Sequence, residues 1–133
     1  FFRHMIRLRK DNAILRKTTK PAACKLPEIS IHNGFPWNGG TDNNSRLIGI
    51  MYAGRDENDI RDDIVFYCMN AYWETLIMQL PELPMGMQWK VCVNTFLPYE
   101  DGKNVEEQTE FYYKKSLKVP PRTVIILTAE ESQ

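Results

Sequence analysis

The spacing of hydrophobic positions changes near residue 27 and separates a helical start from a series of strands. At the start, the apolar side chains recur with the spacing of one helix face, at Phe1, Phe2, Met5, Ile6 and Leu8. Basic side chains occupy the opposite face, and a short apolar tail follows over residues 13–15. A helix of about ten residues is marginal by itself, so we expect this one to pack on a tertiary surface.

After residue 27 the pattern is that of short β-strands separated by turns rich in Gly, Pro and Asn. The predicted strands are 29–32, 46–53, 64–69, 72–80, 89–94, 111–119 and 123–127, with the last two forming a pair around Pro120 and Pro121. We expect a charged loop over 54–63 and a frayed end over 130–133. Strands with no helix between them predict an all-β fold, an antiparallel sandwich or partly closed barrel of about seven strands after one short helix.

Composition narrows the possible functions further. The chain has 133 residues, enough for one modest core, and 17 basic residues balance 17 acidic ones. A neutral chain has no bulk charge to attract nucleic acid or an anionic membrane, so neither is a predicted partner. No apolar stretch reaches the roughly 18 to 20 residues that a membrane span needs. Three cysteines without a CxxC pair fit a reducing compartment, and we predict a cytoplasmic protein.

Catalytic chemistry needs convergent groups, and the sequence does not display them. The acidic runs at 56–63 and 106–110 are typical of solvated loops. Ser45 and His32 lack the GxSxG mount of a hydrolase nucleophile, and the Gly-rich tract at 38–40 lacks the ending of a phosphate loop. His4 and His32 lie far apart in sequence. We therefore predict no catalytic residue, no metal site and no cofactor.

Aromatic residues in loops are a separate signal, because flat rings stack on sugar faces. Trp37 and Phe35 lie in the Gly-rich loop, and Tyr99 lies in another loop. These three are candidates for contact with an α-glucan, and packing on a neighbouring domain is the alternative. Trp73 and Trp89 fall within predicted strands, where a large ring belongs to the core or to an interface.

Several segments of the chain follow a familiar pattern in order. In the second half they read Met69-Asn70-Ala71-Tyr72-Trp73-Glu74, then Leu80-Pro81, then Trp89-Lys90-Val91-Cys92-Val93-Asn94-Thr95, and finally Val119-Pro120-Pro121-Arg122-Thr123. Together they resemble the C-terminal domain of bacterial glycogen debranching enzymes and isoamylases, members of the α-amylase superfamily.

Upstream segments extend this resemblance over nearly the whole chain. They are Ile6-Arg7-Leu8-Arg9-Lys10, similar to the family's last barrel helix, Ile29-Ser30-Ile31-His32-Asn33-Gly34, similar to a strand ending in Trp-His-Gly, and Asp42-Asn43-Asn44-Ser45-Arg46, similar to an Asp-Trp-Ser-x-x-Ser-Arg segment. The chain departs from the family pattern where Ile31 replaces Trp, where Trp37 precedes the Asp, and where Asn94 replaces Asp.

The resemblance implies that the catalytic residues of the parent enzyme lie in a different domain. In this family the catalytic carboxylates lie in a barrel that precedes the C-terminal domain, and none of those motifs occurs here. The chain would then be a non-catalytic accessory domain that covers the barrel, while the parent enzyme hydrolyses α-1,6-glucosidic branches. Phe1 lies partway through a helical pattern, so we expect a fragment of a longer protein.

The resemblance also suggests domain limits and an interface. Residues 1–16 would be a remnant of the last barrel helix, 17–27 a connector and 28–133 the β-sandwich domain. Candidates for contact with the barrel are Phe2, Met5, Ile6 and Trp73. Two alternatives stay open: a module that itself binds α-glucan, and an independent β-sandwich that binds another protein.

Overall fold

A computed structural model describes residues 1–16, 19–33, 36–37, 46–55, 61–97 and 112–131. Within these ranges the chain begins with helix α1, Phe2–Asp11, and one 3-10 turn, Ala13–Leu15. The strands that follow are β1 Ile29–His32, β2 Leu47–Arg55, β3 Asp62–Asn70, β4 Leu76–Gln79, β5 Met87–Asn94, β6 Ser116–Val119 and β7 Thr123–Glu131. The predicted all-β class with one short N-terminal helix is confirmed.

The described strands form two antiparallel sheets. The larger sheet has the order β1-β2-β3-β7-β5, and the smaller one pairs β4 with β6. Their facing surfaces enclose the main hydrophobic core, in which Met78 and Val119 of the small sheet pack with Met51, Phe66 and Leu127 of the large one. The arrangement is a β-sandwich in which the small sheet covers one face of the large one.

Glycine at position 49 makes room for the largest side chain at the centre of this core. A Cβ atom built on Gly49 would lie 2.6 Å from Cζ of Phe66 and 3.2 Å from Cε of Met78. Both of those side chains are fully buried, so neither can move aside without disturbing its neighbours. The sequence therefore needs a residue without a side chain at this point of β2.

The other face of the large sheet is partly covered by α1 and the 3-10 turn. Leu8 and Ile14 form a second buried cluster with Val65, Val93 and Ile126 of the sheet. The backbone N–H of Ala13 also donates to Oδ2 of Asp63 at 3.0 Å, which ties the turn to β3. The tertiary surface that so short a helix requires is thus present within this chain.

The predicted strand boundaries hold for β1 but fail around the charged loop. Strand β2 continues to Arg55 and β3 begins at Asp62, so the predicted loop over 54–63 was too long. The predicted frayed end over 130–133 was wrong for its first two residues, since β7 runs to Glu131, and residues 132–133 lie outside the described ranges. Met87 of β5 pairs with Glu131, and Lys90 forms a salt bridge with Glu130 at 3.2 Å.

The predicted pairing of the last two strands was wrong. Strand β6 pairs with β4, whereas β7 lies between β3 and β5 in the other sheet. Of the strand predicted over 111–119, residue 111 lies outside the described ranges, and the described part is a strand only over Ser116–Val119, with Tyr112 forming an isolated bridge to Trp89. In the described part of the chain, no helix has both the length and the apolar character to cross a bilayer.

Candidate functional site

The turn that follows β3 is organised by the side chain of Asn70. Its Nδ2 lies 2.9 Å from the carbonyl oxygen of Glu74, 3.0 Å from that of Val119 and 3.2 Å from that of Pro120. Its Oδ1 accepts a hydrogen bond from the backbone N–H of Tyr72 at 2.8 Å. One buried amide therefore fixes the turn and joins it to the end of β6. We call residues Arg46, 70–74 and 119–123 the Asn70 corner.

Three side chains stack on the outside of the Asn70 corner. The rings of Tyr72 and Trp73 have centroids 4.5 Å apart and are tilted by 32°. The guanidinium carbon of Arg46 lies 4.3 Å from the centroid of the Tyr72 ring, a cation–π contact. Trp73 is 68% exposed. The prediction that Trp73 lies in a strand was wrong, because the Asn70 hydrogen bonds turn the chain there and β4 starts only at Leu76.

Backbone hydrogen bonds complete the corner. The N–H of Ala71 donates to the carbonyl of Arg46 at 2.9 Å, and the N–H of Arg122 donates to the carbonyl of Tyr72 at 3.1 Å. Arg122 itself has a φ of 49°, in the left-handed region. Three segments that the sequence presents separately, around positions 46, 72 and 121, thus meet at one place.

His32 is a fully buried histidine whose hydrogen bonds are satisfied. The backbone N–H of Trp37 donates to its Nδ1 at 2.7 Å, so the proton of the neutral ring is on Nε2, which donates to Oγ of Ser30 at 2.8 Å. The ring also contacts Phe66 edge-on, with centroids 5.6 Å apart. Burial lowers the pKa of His32, which keeps the ring neutral. This arrangement is structural.

The loop aromatics predicted to contact glucan are only partly described. Trp37 has a φ of 65°, and its ring lies 4.8 Å from that of His32, centroid to centroid. The Trp37 side chain remains 49% exposed. Phe35 and Tyr99 lie outside the described residues. Trp37 therefore covers His32 with part of its surface and leaves the rest open to solvent.

An apolar groove lies between α1 and the outer face of the large sheet. Its volume is about 480 Å³, and its lining includes Phe2, Met5, Ile6, Tyr52 and Tyr67. Phe2 is 82% exposed and Ile6 is 55% exposed. Three of the four predicted barrel-contact residues, Phe2, Met5 and Ile6, thus meet at this groove, and Trp73 lies apart from it, at the Asn70 corner.

The apolar surface continues from the groove along the sheet. Tyr52 pairs across the strands with Ile29, and Ile50 pairs with both Ile31 and Tyr67. Ile29 and Ile31 are exposed on the edge strand β1. We call the groove and these isoleucines the helix–sheet surface. The spacing of apolar residues predicted the part of this surface that α1 contributes. It did not predict the part that the sheet contributes, because β1 is too short for its pattern to show which face is buried.

Acidic residues at the start of β3 hold the backbone of the N-terminal segment. Asp62 accepts hydrogen bonds from the N–H groups of Ala23 and Cys24 at 2.8 Å and 3.0 Å, and Asp63 accepts one from Ala13. These two carboxylates belong to the acidic run at 56–63, whose residues 56–60 lie outside the described ranges. Their partners give them a structural role.

A polar groove of about 770 Å³ lies beside these acids and includes His4, Arg7, Lys90 and Glu130. Among the residues that the structure describes, no three His, Cys, Asp or Glu side chains are placed to hold a metal ion. No disulfide joins the three cysteines, and burial raises the pKa of Cys68 to about 12, so that thiol stays protonated.

Comparison with known proteins adds no identification. No protein-family model matches the chain, and no curated protein sequence matches it.

Proposed function

We propose that this chain is a non-catalytic, C-terminal accessory domain of a glycogen-debranching enzyme. In this proposal a preceding catalytic barrel hydrolyses α-1,6-glucosidic branches, and the β-sandwich covers and stabilises that barrel. The observation that carries the proposal is the Asn70 corner. The resembling segments around Arg46, Asn70 and Val119 were recognised separately in the sequence, yet their residues contact one another through Asn70 and Tyr72. Their meeting at one corner supports the proposal.

The helix–sheet surface supports the accessory role. It presents Phe2 and Ile6 to solvent beside a groove lined by Tyr52 and Tyr67. A contiguous exposed apolar area of this kind is typical of a surface that another domain covers. Helix α1 would then lie between the two domains, with Leu8 packed on this sandwich and Phe2 and Ile6 packed on the barrel.

The test uses the complete natural polypeptide that contains this chain. We expect it to release linear glucan chains from glycogen, measured as new reducing ends, and we expect the 133-residue chain alone to release none. A complete polypeptide without α-1,6-glucosidase activity would overturn the debranching assignment.

The accessory role has its own test on the same polypeptide. Removing residues 25–133 should lower its melting temperature or leave it insoluble, because the apolar surface of the barrel and of α1 would then be exposed. An unchanged melting temperature would contradict the stabilising role while leaving the debranching assignment in place.

A further inference from the structure

Trp73 is a large apolar ring held in place at the surface. With 68% of the side chain exposed, the ring is the most open of the three tryptophans, since Trp37 is partly covered by His32 and Trp89 is buried. Leaving so much apolar area in water costs free energy. The exposed face of the Trp73 ring is therefore available for a ligand to bind.

The surroundings of Trp73 fix the backbone just before it and place one aromatic ring against it. The residue before it, Tyr72, has both its N–H and its carbonyl hydrogen-bonded, to Asn70 and Arg122 respectively. The Tyr72 ring contacts Trp73 on one side, and the Arg46 guanidinium covers the Tyr72 ring. A ring ordered before binding loses little conformational entropy when a ligand stacks on it.

The exposed side chains of the corner match the chemistry of a sugar. Arg46, Glu74 and Arg122 are all exposed and supply both hydrogen-bond donors and acceptors. A pyranose ring has a face of C–H groups, which suits the electron-rich face of an indole, and a rim of hydroxyls, which suits these polar groups. A protein partner would favour the wider apolar area of the helix–sheet surface instead.

We propose that Trp73 is the stacking platform of a glycan-binding site at the Asn70 corner, with Arg46, Glu74 and Arg122 as the hydrogen-bonding groups around it. The choice of an α-1,4-linked glucan as the glycan rests on the proposed function. The site differs from the loop site predicted at Trp37, Phe35 and Tyr99. It gives the domain a binding activity in addition to covering the barrel.

The three tryptophans allow a test that resolves each candidate separately. Each indole Nε1–H gives its own signal in a ¹H–¹⁵N NMR spectrum of the 133-residue chain, assigned with Trp37→Phe, Trp73→Phe and Trp89→Phe variants. Trp89 serves as an internal control for folding, because its Nε1–H donates to the carbonyl of Pro81 at 3.1 Å inside the core. Maltoheptaose is the α-linked probe, and cellohexaose is the β-linked one.

We expect the Trp73 signal to shift and saturate at millimolar maltoheptaose, while the Trp37 and Trp89 signals stay in place. Trp73→Ala should weaken binding about tenfold or more, as does loss of one stacked ring at other stacking sites. Trp37→Ala should leave binding unchanged.

Other outcomes overturn the inference. A saturable shift of Trp37 alone would place the glucan in the loop site, and no shift of any indole would reject glycan binding at the corner. A response of Trp73 to cellohexaose alone would reject the α-glucan. Debranching by the complete polypeptide is measured in a separate assay, so failure of glycan binding at the corner and failure of the proposed function are distinguishable.

Discussion

The side-chain amide of Asn70 lies 3.0 Å from the carbonyl oxygen of Val119, although the two residues are 49 positions apart. This contact crosses from the large sheet to the small one, because Asn70 ends β3 and Val119 ends β6. The same amide reaches two more carbonyls, while Oδ1 accepts from Tyr72. A single polar side chain thus links the two layers of the sandwich.

Replacing Asn70 with Ala should destabilise the chain by about 2–4 kcal/mol, because it removes the donor of the buried Val119 carbonyl and of the partly buried carbonyls of Glu74 and Pro120. Urea unfolding of the 133-residue chain measures this loss. Asn94→Ala is the matched control: Asn94 also ends a strand and accepts from the N–H two residues on, Phe96, at 3.1 Å, but in an exposed position. We expect the control to cost less than about 1 kcal/mol. Equal losses would show that the link to β6 contributes nothing.

His32 should make the stability of the chain fall with acid. Its pKa is lowered in the folded state by burial, so the unfolded chain binds a proton first as the pH falls below about 6.5. The stabilisation is complete above that value and is lost toward the lower folded pKa, with a slope of up to about 1.4 kcal/mol per pH unit.

Urea unfolding of the wild-type chain, His32→Gln and His4→Gln between about pH 5 and pH 7.5 isolates this contribution. We expect the slope to disappear in His32→Gln. His4→Gln replaces the chain's other histidine and leaves His32 in place, so the slope assigned to His32 should still be seen in it. A His32→Gln profile that follows the wild type would contradict the assignment.

Gly49→Ala should destabilise the chain by about 1–3 kcal/mol, the usual cost of overpacking. The added methyl group would meet Phe66 at 2.6 Å in a core with no room to adjust. Phe66→Leu removes the ring atoms that cause the clash, so the double variant should be more stable than the sum of the single losses predicts. If the free-energy losses of the two single variants simply add in the double variant, measured by denaturant unfolding, the clash with Phe66 is not the cause.

Ile6→Glu should weaken the complete polypeptide, because it puts a charge into the proposed domain interface. Ile77→Glu is the control: Ile77 is 58% exposed, close to the 55% of Ile6, and faces Lys118 across the small sheet. In the 133-residue chain alone both substitutions should be nearly neutral. In the complete polypeptide only Ile6→Glu should lower the melting temperature, and equal effects of the two would argue against an interface at α1.

Hydrophobic spacing was sufficient to predict the fold class and the position of β1. It failed where one side chain overrides propensity. Residues 72–80 form an aromatic and aliphatic run that favours a strand, yet Asn70 holds the first part of that run in a turn. The sequence also could not predict which strands pair. Strands β6 and β7 are neighbours along the chain, which suggests a hairpin, but the sandwich places them in different sheets.

The candidate sites were predicted to different extents. The helical half of the helix–sheet surface follows from the spacing of Phe2, Met5 and Ile6. The contact of Arg46 with the Tyr72 ring joins residues that are distant in sequence. The only link between them in the sequence was that both segments resemble the same family. Burial of His32 could not be predicted, since its partner Trp37 lies five positions further on and itself has a positive φ.

At the Asn70 corner, one side chain determines the backbone path and a different one forms the exposed surface. The inward amide of Asn70 determines the path of the backbone, and the outward ring of Trp73 depends on that path but contributes little to it. Substitutions at position 73 can therefore alter what the corner recognises at little cost in stability, whereas position 70 has almost no freedom to change. Relatives of this domain could thus diverge in ligand preference at this corner while keeping the same architecture.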